Sequence, residues 1–336
     1  MKKKSLLAIG LATMLLLAAC GNSTEQKTED TASEAHYPLT IENFAKPEGG
    51  DAWSKKEQVF DKAPERIMAN TRPAAELLLH LGLGDKIVGV GADFGAPDTT
   101  VADEYAKLPI LSDGYVGKEV TLGTNPDLVF GRGGLFDNAD WGVGTVDSLN
   151  TMGVKTYVLE SSVTGGTYAS IYKDIENLGE IFNVQDKAQS FIDELKEKQQ
   201  FIAKSLESIT EHKTFAYMHT NDPDDLYVWP ANGETFFHDA FNMIKLDNVF
   251  KEETGNINLE TLIATNPDVL ILPNWDGSDL TKVRDAIYEN PKLSSMKAIQ
   301  NKQIYIVDYN YMFGYGYNTI DGMEILAKEM YPELFQ

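Results

Sequence analysis

The sequence predicts an α/β protein built from two α/β lobes with mainly parallel sheets, joined by one long helix. Three observations lead to this fold class. Short apolar segments alternate with helical segments after residue 64, the alternation stops over residues 168–209, and it resumes after residue 213. Alternating strands and helices are typical of βαβ units, whose strands form parallel sheets. We place the first lobe at residues 61–180, the connecting helix at 181–210 and the second lobe at 211–336.

The first lobe is expected to contain four short strands and a leucine-rich helix. The strands are apolar and end at a turn or a polar residue, and the helix carries apolar residues at intervals of three and four. The predicted strands cover residues 66–69, 87–90, 127–130 and 155–159, and the helix covers residues 73–81.

Residues 168–209 predict a long helical region that is broken once, at residues 182–184. Apolar residues of its second part recur at intervals of three and four, which places them on one face of a helix. They are Ala188, Phe191, Ile192, Leu195, Ile202, Leu206 and Ile209. At 1.5 Å per residue, residues 186–208 span about 35 Å, enough to connect two lobes. An ordinary surface helix of a single domain is the alternative.

The second lobe repeats the alternation of the first. Predicted strands cover residues 215–218, 268–272 and 303–307, and predicted helices cover residues 235–243 and 322–330. One sequence pattern also occurs in both lobes. Residues 119–130 and 260–271 each contain a Glu, a predicted short helix, Asn-Pro-Asp and a predicted apolar strand. Proline ends a helix, so both segments predict the same helix-to-strand unit. The repeat indicates two lobes of related build.

The first twenty residues have the features of an export signal. Lys2, Lys3 and Lys4 precede an apolar stretch that ends in Leu-Ala-Ala-Cys at Cys20. This stretch is shorter than the roughly 20 residues that a membrane-spanning helix needs. The pattern resembles a bacterial lipoprotein signal, which implies that residues 1–19 are removed and that Cys20 is lipidated. An ordinary secretory signal is the alternative.

After Cys20 the chain is polar, and we expect residues 20–60 to act as a flexible tether. Within it, Leu39, Ile41 and Phe44 indicate a short hairpin over residues 37–60. The resulting localisation is the extracytoplasmic face of the cell membrane, with the lipid anchor as the only membrane contact.

The composition excludes some classes of function. Removal of Lys2, Lys3 and Lys4 takes the formal net charge from −22 to −25. Nucleic-acid binding depends on Lys and Arg that neutralise phosphates, so such a partner is not expected. Cys20 is the only cysteine. Its lipidation leaves no thiol for a disulfide or a cysteine metal site.

Residues 60–336 resemble the substrate-binding lipoproteins of ABC importers for ferric siderophores, haem and vitamin B12. The resemblance rests on residues 119–130, residues 260–272 and the lipoprotein start, with support from residues 63–67 and 290–307. It implies a ligand cleft between the two lobes, an ABC permease as partner, and a monomeric receptor without enzymatic activity. The small-molecule metal chelate would be cargo, so no resident cofactor is expected.

The resemblance also implies a role for Glu119 and Glu260. In this family a glutamate at the tip of each lobe docks on arginines of the permease. Two distant carboxylates can set orientation through complementary charge. The alternative is that each glutamate only favours the dipole of the helix that it begins.

Two of the four arginines of the chain, Arg72 and Arg132, directly follow predicted strands. Ligands of open parallel sheets bind beyond the carboxyl ends of the strands. A guanidinium there suits a carboxylate, catecholate or hydroxamate oxygen. The alternative is pairing with a nearby acid, namely Glu76, Asp137 or Asp140. Trp141 follows Arg132 and is a candidate apolar wall.

Aromatic residues with polar tips supply the candidates of the second lobe, because they suit a large and partly apolar ligand. They lie in the loop after residues 303–307 and after two other strands of this lobe. The candidates are His219, Trp229, Trp275, Tyr309, Tyr311, Tyr315 and Tyr317. No metal ligands are predicted, because no histidine pair has the spacing of a zinc site on one helix.

These observations favour a receptor for a ferric siderophore. Vitamin B12 or another corrinoid and haem remain alternatives, because they fit the same aromatic walls. A receptor for a bare metal ion is less favoured, because the chain has only five histidines. An extracellular enzyme is not expected, because neither Gly-x-Ser-x-Gly nor His-Glu-x-x-His occurs in the sequence.

Overall fold

A computed structural model describes residues 36–50, 52–274 and 278–336 of the chain. The predicted signal peptide at residues 1–19, Cys20, the first part of the tether and Trp275 lie outside these residues. Within them, no helix combines the length and the apolar character that crossing a bilayer requires.

The described chain begins with an antiparallel hairpin of two strands, β1 (Leu39–Ala45) and β2 (Ser54–Phe60). The prediction of a tether over residues 20–60 is therefore wrong for residues 39–60, whereas the hairpin prediction is confirmed. The hairpin packs on the first lobe through Asn43, whose side chain is fully buried. Its amide Nδ2 donates to the carbonyl of Thr156 over 2.9 Å, and its Oδ1 accepts from the backbone N–H of Val158 over 2.8 Å. These bonds supply partners for backbone groups of Thr156 and Val158 at the edge of a sheet.

The first lobe contains a four-stranded sheet in which every pair of neighbours is parallel, in the order β4-β3-β5-β6. Its strands are β3 (Ile67–Ala69), β4 (Ile87–Val90), β5 (Leu128–Gly131) and β6 (Lys155–Val158). Its helices are α1 (Arg72–His80), α2 (Ala102–Tyr105), α3 (Lys118–Gly123) and α4 (Val146–Thr151). Strand β5 is buried at every position. A parallel strand that is covered on both faces has this pattern.

Two helices, α5 (Tyr168–Phe182) and α6 (Gln185–Ser205), connect the two sheets. The chain reverses at Asn183, which has a left-handed backbone with φ of 54°. Helix α6 then runs back along α5, where the hydroxyl of Tyr172 donates to Oε1 of Gln199 over 2.8 Å. The break predicted at residues 182–184 is thus confirmed.

Helix α6 contacts both lobes and is the long interlobe helix. Near its start, the Phe191 ring stacks on His80 of the first lobe with centroids 4.2 Å apart. Near its end, Nζ of Lys198 lies 2.6 Å from Oδ1 of Asp321 in the second lobe. Its bounds are narrower than the predicted 181–210, because Asn183 ends α5 and the helical backbone stops at Ser205.

The second lobe contains a five-stranded, mostly parallel sheet in the order β11-β10-β7-β8, with β9 also pairing with β7. Its strands are β7 (Lys213–Met218), β8 (Val228–Trp229), β9 (Leu246–Asn248), β10 (Val269–Pro273) and β11 (Ile304–Val307). Its helices are α7 (Thr235–Met243), α8 (Leu259–Thr265), α9 (Thr281–Glu289), α10 (Lys297–Gln300) and α11 (Thr319–Met330). Only β8 is antiparallel to its neighbour. The predicted fold class is confirmed.

Replacement of Asn43 by Ala tests whether the hairpin is an integral part of the first lobe. The change leaves the backbone groups of Thr156 and Val158 without their partner in a buried place. We expect the free energy of unfolding to fall by about 2–4 kcal/mol, measured by urea denaturation. Glu57→Ala, at an exposed position of β2, is the control and should change it by less than about 0.5 kcal/mol. Equal stability of the two variants would contradict the assignment.

Candidate ligand-binding site

The carboxyl ends of both sheets are held together by one loop. Residues 308–317 follow β11 of the second lobe and reach across to Ala96, which follows β4 of the first. Oδ1 of Asp308 accepts from the N–H of Ala96 over 2.7 Å, and Nδ2 of Asn310 donates to its carbonyl over 2.6 Å. The side chains that follow the strands therefore meet at the lobe boundary.

Arg132 directly follows β5, and its backbone is fixed by Asn70. The Asn70 side chain accepts from the Arg132 N–H over 2.8 Å and donates to the Arg132 carbonyl over 3.0 Å. The preceding Gly131 has φ of 137°, and a Cβ there would lie 2.0 Å from the Asn70 oxygen. Only glycine fits this close approach. The sequence thus fixes the direction in which Arg132 leaves the strand.

The guanidinium of Arg132 contacts tyrosines of both lobes. Its Nη1 donates to the hydroxyl of Tyr309 over 3.2 Å and to that of Tyr115 over 3.4 Å. Its Cζ lies 5.1 Å from the ring centroid of Tyr315. Planar stacking and several N–H donors are the properties that distinguish arginine from lysine in ligand recognition. Arg132 thus lies at the lobe boundary, and its role in ligand binding stays a prediction.

Aromatic side chains of the second lobe form a continuous wall around this arginine. Tyr309 contacts Phe313 with ring centroids 5.6 Å apart, and Phe313 stacks on Trp229 at 5.9 Å. His219 lies against Trp229 with centroids 5.6 Å apart. Burial lowers the pKa of His219, which favours the neutral imidazole. We name this set (His219, Trp229, Tyr309, Phe313 and Tyr315) the aromatic wall.

A cavity of about 330 Å³ opens beside Arg132 and Tyr315. Its volume is within the range of sites for organic ligands. The first lobe contributes residues 161–164, the hairpin contributes Trp53, and the second lobe contributes residues 232–236.

Glu234 supplies a carboxylate to this cavity. The hydroxyl of Tyr315 donates to its Oε2 over 2.7 Å. Burial raises the pKa of Glu234, and the Tyr315 hydrogen bond and the Arg132 charge offset this rise only in part. The site therefore combines one cation, one acid and an aromatic wall.

Arg72 does not line the cavity beside Arg132 and Tyr315. Its Nη2 forms an ion pair with Asp93, its Nη1 lies 3.9 Å from Oε1 of Glu76, and its Cζ lies over the Tyr105 ring at 4.6 Å. The structure therefore favours the alternative in which Arg72 pairs with neighbouring acids, Glu76 among them. Helix α1 begins at Arg72, and these three partners of its side chain all belong to the first lobe.

Tyr311 and Tyr317 line a different cavity, of about 500 Å³, between α6 and residues 97–101 of the first lobe. The hydroxyl of Tyr317 donates to Oδ2 of Asp98 over 2.6 Å, and Nε2 of His80 lies 2.8 Å from the same oxygen. Burial alone would raise the pKa of Asp98, but hydrogen bonds from His80, Thr100 and Tyr317 hold it well below its usual range. Tyr317 thus joins the lobes on the side of α6.

Trp141 is 46% exposed, and its neighbour Asp140 lies beside Gly117, the residue before α3. The carbonyl of its neighbour Asp140 is 2.7 Å from where a Cβ of Gly117 would lie. Glu119 is in the first turn of α3, and no ring contact or hydrogen bond joins Trp141 to Arg132 among the described residues. Glu119 and Glu260 are both exposed, each in the first turn of a short helix.

Four residues of the site escape the sequence reasoning: Phe94, Tyr115, Trp53 and Glu234. Phe94 contacts Tyr309 and Tyr115 with ring centroids 4.7 Å and 5.3 Å apart. Phe94 and Tyr115 lie in loops after β4, so the rule that finds Arg132 could have indicated them. Nothing in the sequence marks Trp53, which comes from the hairpin, or Glu234, which is one of 51 acidic residues.

The described part of the chain contains no group of three His, Cys, Asp or Glu side chains that could hold a metal ion.

Comparison with known families decides the class of the protein. Residues 67–311 match the family of periplasmic binding proteins. The chain belongs to this family. It is thus a solute-binding receptor rather than an enzyme, and the family predicted from the sequence is confirmed.

Two curated relatives come from Bacillus subtilis. The uncharacterized ABC transporter substrate-binding lipoprotein YvrC is 26% identical over 341 residues, covering 100% of this chain and 99% of its own. The petrobactin-binding protein YclQ is 23% identical over 344 residues, covering 98% of both chains.

Solved structures of periplasmic binding proteins share the fold. A periplasmic binding protein of Veillonella parvula has a TM-score of 0.75 at 22% identity, covering 88% of this chain and 99% of its own. An ABC-type Fe3+-hydroxamate transport system protein of Saccharomonospora viridis has a TM-score of 0.69 at 24% identity, with the same coverage.

Tyr317→Phe tests the structural placement of Tyr317. The change removes a hydrogen bond to the Asp98 carboxylate, so we expect the free energy of unfolding to fall by about 1–3 kcal/mol in urea denaturation. Tyr311→Phe is the matched control, because no described hydrogen bond uses its hydroxyl, and it should stay within about 0.5 kcal/mol of the parent protein. A Tyr317→Phe variant as stable as Tyr311→Phe would overturn the placement.

Proposed function

We propose that this protein is a lipid-anchored extracytoplasmic receptor that binds a ferric siderophore between its lobes and delivers it to an ABC permease for iron uptake. The observation that carries the proposal is the position of Arg132, which lies at the carboxyl ends of the strands and faces aromatic residues of the opposite lobe. Such an arginine can donate to the anionic or carbonyl oxygens of a chelate, while the rings cover its apolar parts.

The comparisons support the ligand class. One relative is named for petrobactin and one neighbour in fold is named for Fe3+-hydroxamate transport. Neither name transfers to this chain by itself at such identities. Together with Arg132 and the aromatic wall, however, they favour an iron chelate over other solutes.

Corrinoids and haem are the second candidates, because the aromatic wall also suits a large planar ring. One neighbour in fold is the haem-binding protein RhuT of Roseiflexus, with a TM-score of 0.63 at 20% identity. A bare metal ion has less support, because the described neighbours of His219 include the aromatic rings of Tyr227, Trp229 and Phe313.

The anchor follows from the sequence. Lipidation of Cys20 after removal of residues 1–19 would place the receptor on the extracytoplasmic face of the membrane. Both curated relatives support a receptor of this class, and one of them is named a lipoprotein. The receptor acts as a monomer that presents both lobes to one permease.

The permease contact is assigned to Glu119 and Glu260. Each carboxylate is exposed and stands in the first turn of α3 or α8, one helix in each lobe. Two separated acids that meet arginines of a permease would fix the orientation of the receptor and raise the rate of encounter.

Ligand titration tests the proposed function. We expect saturable quenching of intrinsic fluorescence by at least one ferric siderophore, from a panel that also contains haem and cyanocobalamin. Arg132→Gln should weaken that binding by about tenfold or more, because the guanidinium donors are lost. Arg284→Gln, at the exposed ion pair with Asp285, is the control and should bind as the parent does. Quenching by haem or cyanocobalamin alone would move the assignment to the second candidates.

The docking assignment is tested by the double change of Glu119 and Glu260 to Ala. We expect ligand affinity to stay unchanged, because both residues are outside the cavity, and transport by cells or vesicles with the matching permease to be lost. The same double change at Glu104 and Glu207, which are also exposed, is the control. Normal transport by the first variant would refute the docking role.

A further inference from the structure

Glu234 lies at the N-cap position of helix α7, but its side chain makes no hydrogen bond to the start of the helix. Its carboxylate turns instead toward the cavity and accepts from the hydroxyl of Tyr315 over 2.7 Å. The carboxylate of Glu234 is thus directed at the cavity and not at the backbone of the helix.

Tyr315 holds this carboxylate in place. It has a left-handed backbone with φ of 49°, which is uncommon for a residue with a side chain. Its ring lies between Phe237, with centroids 4.8 Å apart, and the Arg132 guanidinium at 5.1 Å. The strained backbone thus presents the ring to Arg132 and the hydroxyl to Glu234 at the same time.

The charges that line the cavity cancel. Among the described residues around it, the ionisable side chains other than tyrosine are Arg132 and Glu234, which have opposite sign. The other lining groups include the hydroxyls of Ser162 and Thr164 and the indole of Trp53. The whole chain carries a net charge of −22. Its long-range field therefore does not attract an anionic ligand to a cavity whose own charges, Arg132 and Glu234, sum to zero.

We propose that Glu234 is a specificity-determining residue that admits iron chelates without net negative charge and rejects polyanionic ones. The proposal rests on the proposed function and narrows its ligand class. An uncharged or cationic ferric trihydroxamate can offer carbonyl oxygens to Arg132 and amide or ammonium donors to Glu234. A ferric tris-catecholate would bring several negative charges against the Glu234 carboxylate in a partly desolvated place.

The energetic reason is that discrimination needs a repulsive group as well as an attractive one. Arg132 alone attracts every chelate with oxygen on its surface, and most strongly the anionic ones. A carboxylate that lines the same cavity cancels this preference for anionic chelates. Because an unpaired charge is costly to bury, hydrogen bonding then decides which chelate binds.

The test compares three ferric complexes on the unlipidated protein without residues 1–19: ferrichrome, which is uncharged, ferrioxamine B, which is cationic, and ferric enterobactin, which is polyanionic. We expect the parent protein to bind a trihydroxamate more tightly than ferric enterobactin. In Glu234→Gln, which keeps an acceptor for Tyr315, the ratio of the two dissociation constants should shift by about tenfold or more toward the polyanion.

Two further variants separate charge from structure. Glu234→Asp keeps the charge and should retain the preference of the parent. Glu253→Gln removes an exposed acid of the same lobe outside the cavity and should leave the ratio unchanged. Melting temperatures of the variants show whether they fold as the parent does.

The outcomes distinguish this inference from the proposed function. Tight binding of ferric enterobactin by the parent, or an unchanged ratio in Glu234→Gln, would overturn the role of Glu234 while a siderophore receptor stands. Failure of every siderophore to bind the parent would overturn the proposed function and this inference with it.

Discussion

The attachment of the loop after β11 to Ala96 sets the geometry of the whole site. Asp308 and Asn310 hold both backbone groups of Ala96, so the second lobe reaches the edge of the first sheet at a defined place. Gly95 makes this possible, because a Cβ there would lie 2.8 Å from the side chains of both residues. Tyr309 and Tyr315 follow in the same loop and are therefore presented to Arg132.

In a chain with 51 acidic and 29 basic residues, Arg132 differs from other cations in its partners. Several described lysines form surface ion pairs with acids, among them Lys55 with Glu42, and Arg72 is paired with Asp93 and Glu76. The guanidinium of Arg132 instead donates hydrogen bonds to the hydroxyls of Tyr115 and Tyr309. These partners are neutral, so a ligand that replaces them does not have to break an ion pair. The same balance makes one nearby carboxylate decisive.

Sequence reasoning succeeds where a local pattern determines the structure. The strand at residues 87–90 and the helix at residues 235–243 have the bounds that the sequence predicts, and the rule about carboxyl ends of parallel strands finds Arg132, Tyr309 and Tyr315. The prediction that Arg72 faces the ligand is not supported, because Arg72 pairs with Asp93. Asp93 follows a different strand, so only the folded sheet brings the two side chains together. The sequence also gives no sign of Glu234, because the position of its carboxylate depends on a hydrogen bond from Tyr315, which is distant in the sequence.

The hairpin has a consequence for how such receptors change during evolution. Trp53 reaches the cavity from a segment outside both sheets, where it lies close to Gly133. Insertions or replacements around it can reshape the pocket while the sheet edges keep their register. The surfaces that carry Glu119 and Glu260 would stay as they are. If Glu119 and Glu260 dock as we propose, a change of cargo through the hairpin would leave the contact with the permease in place.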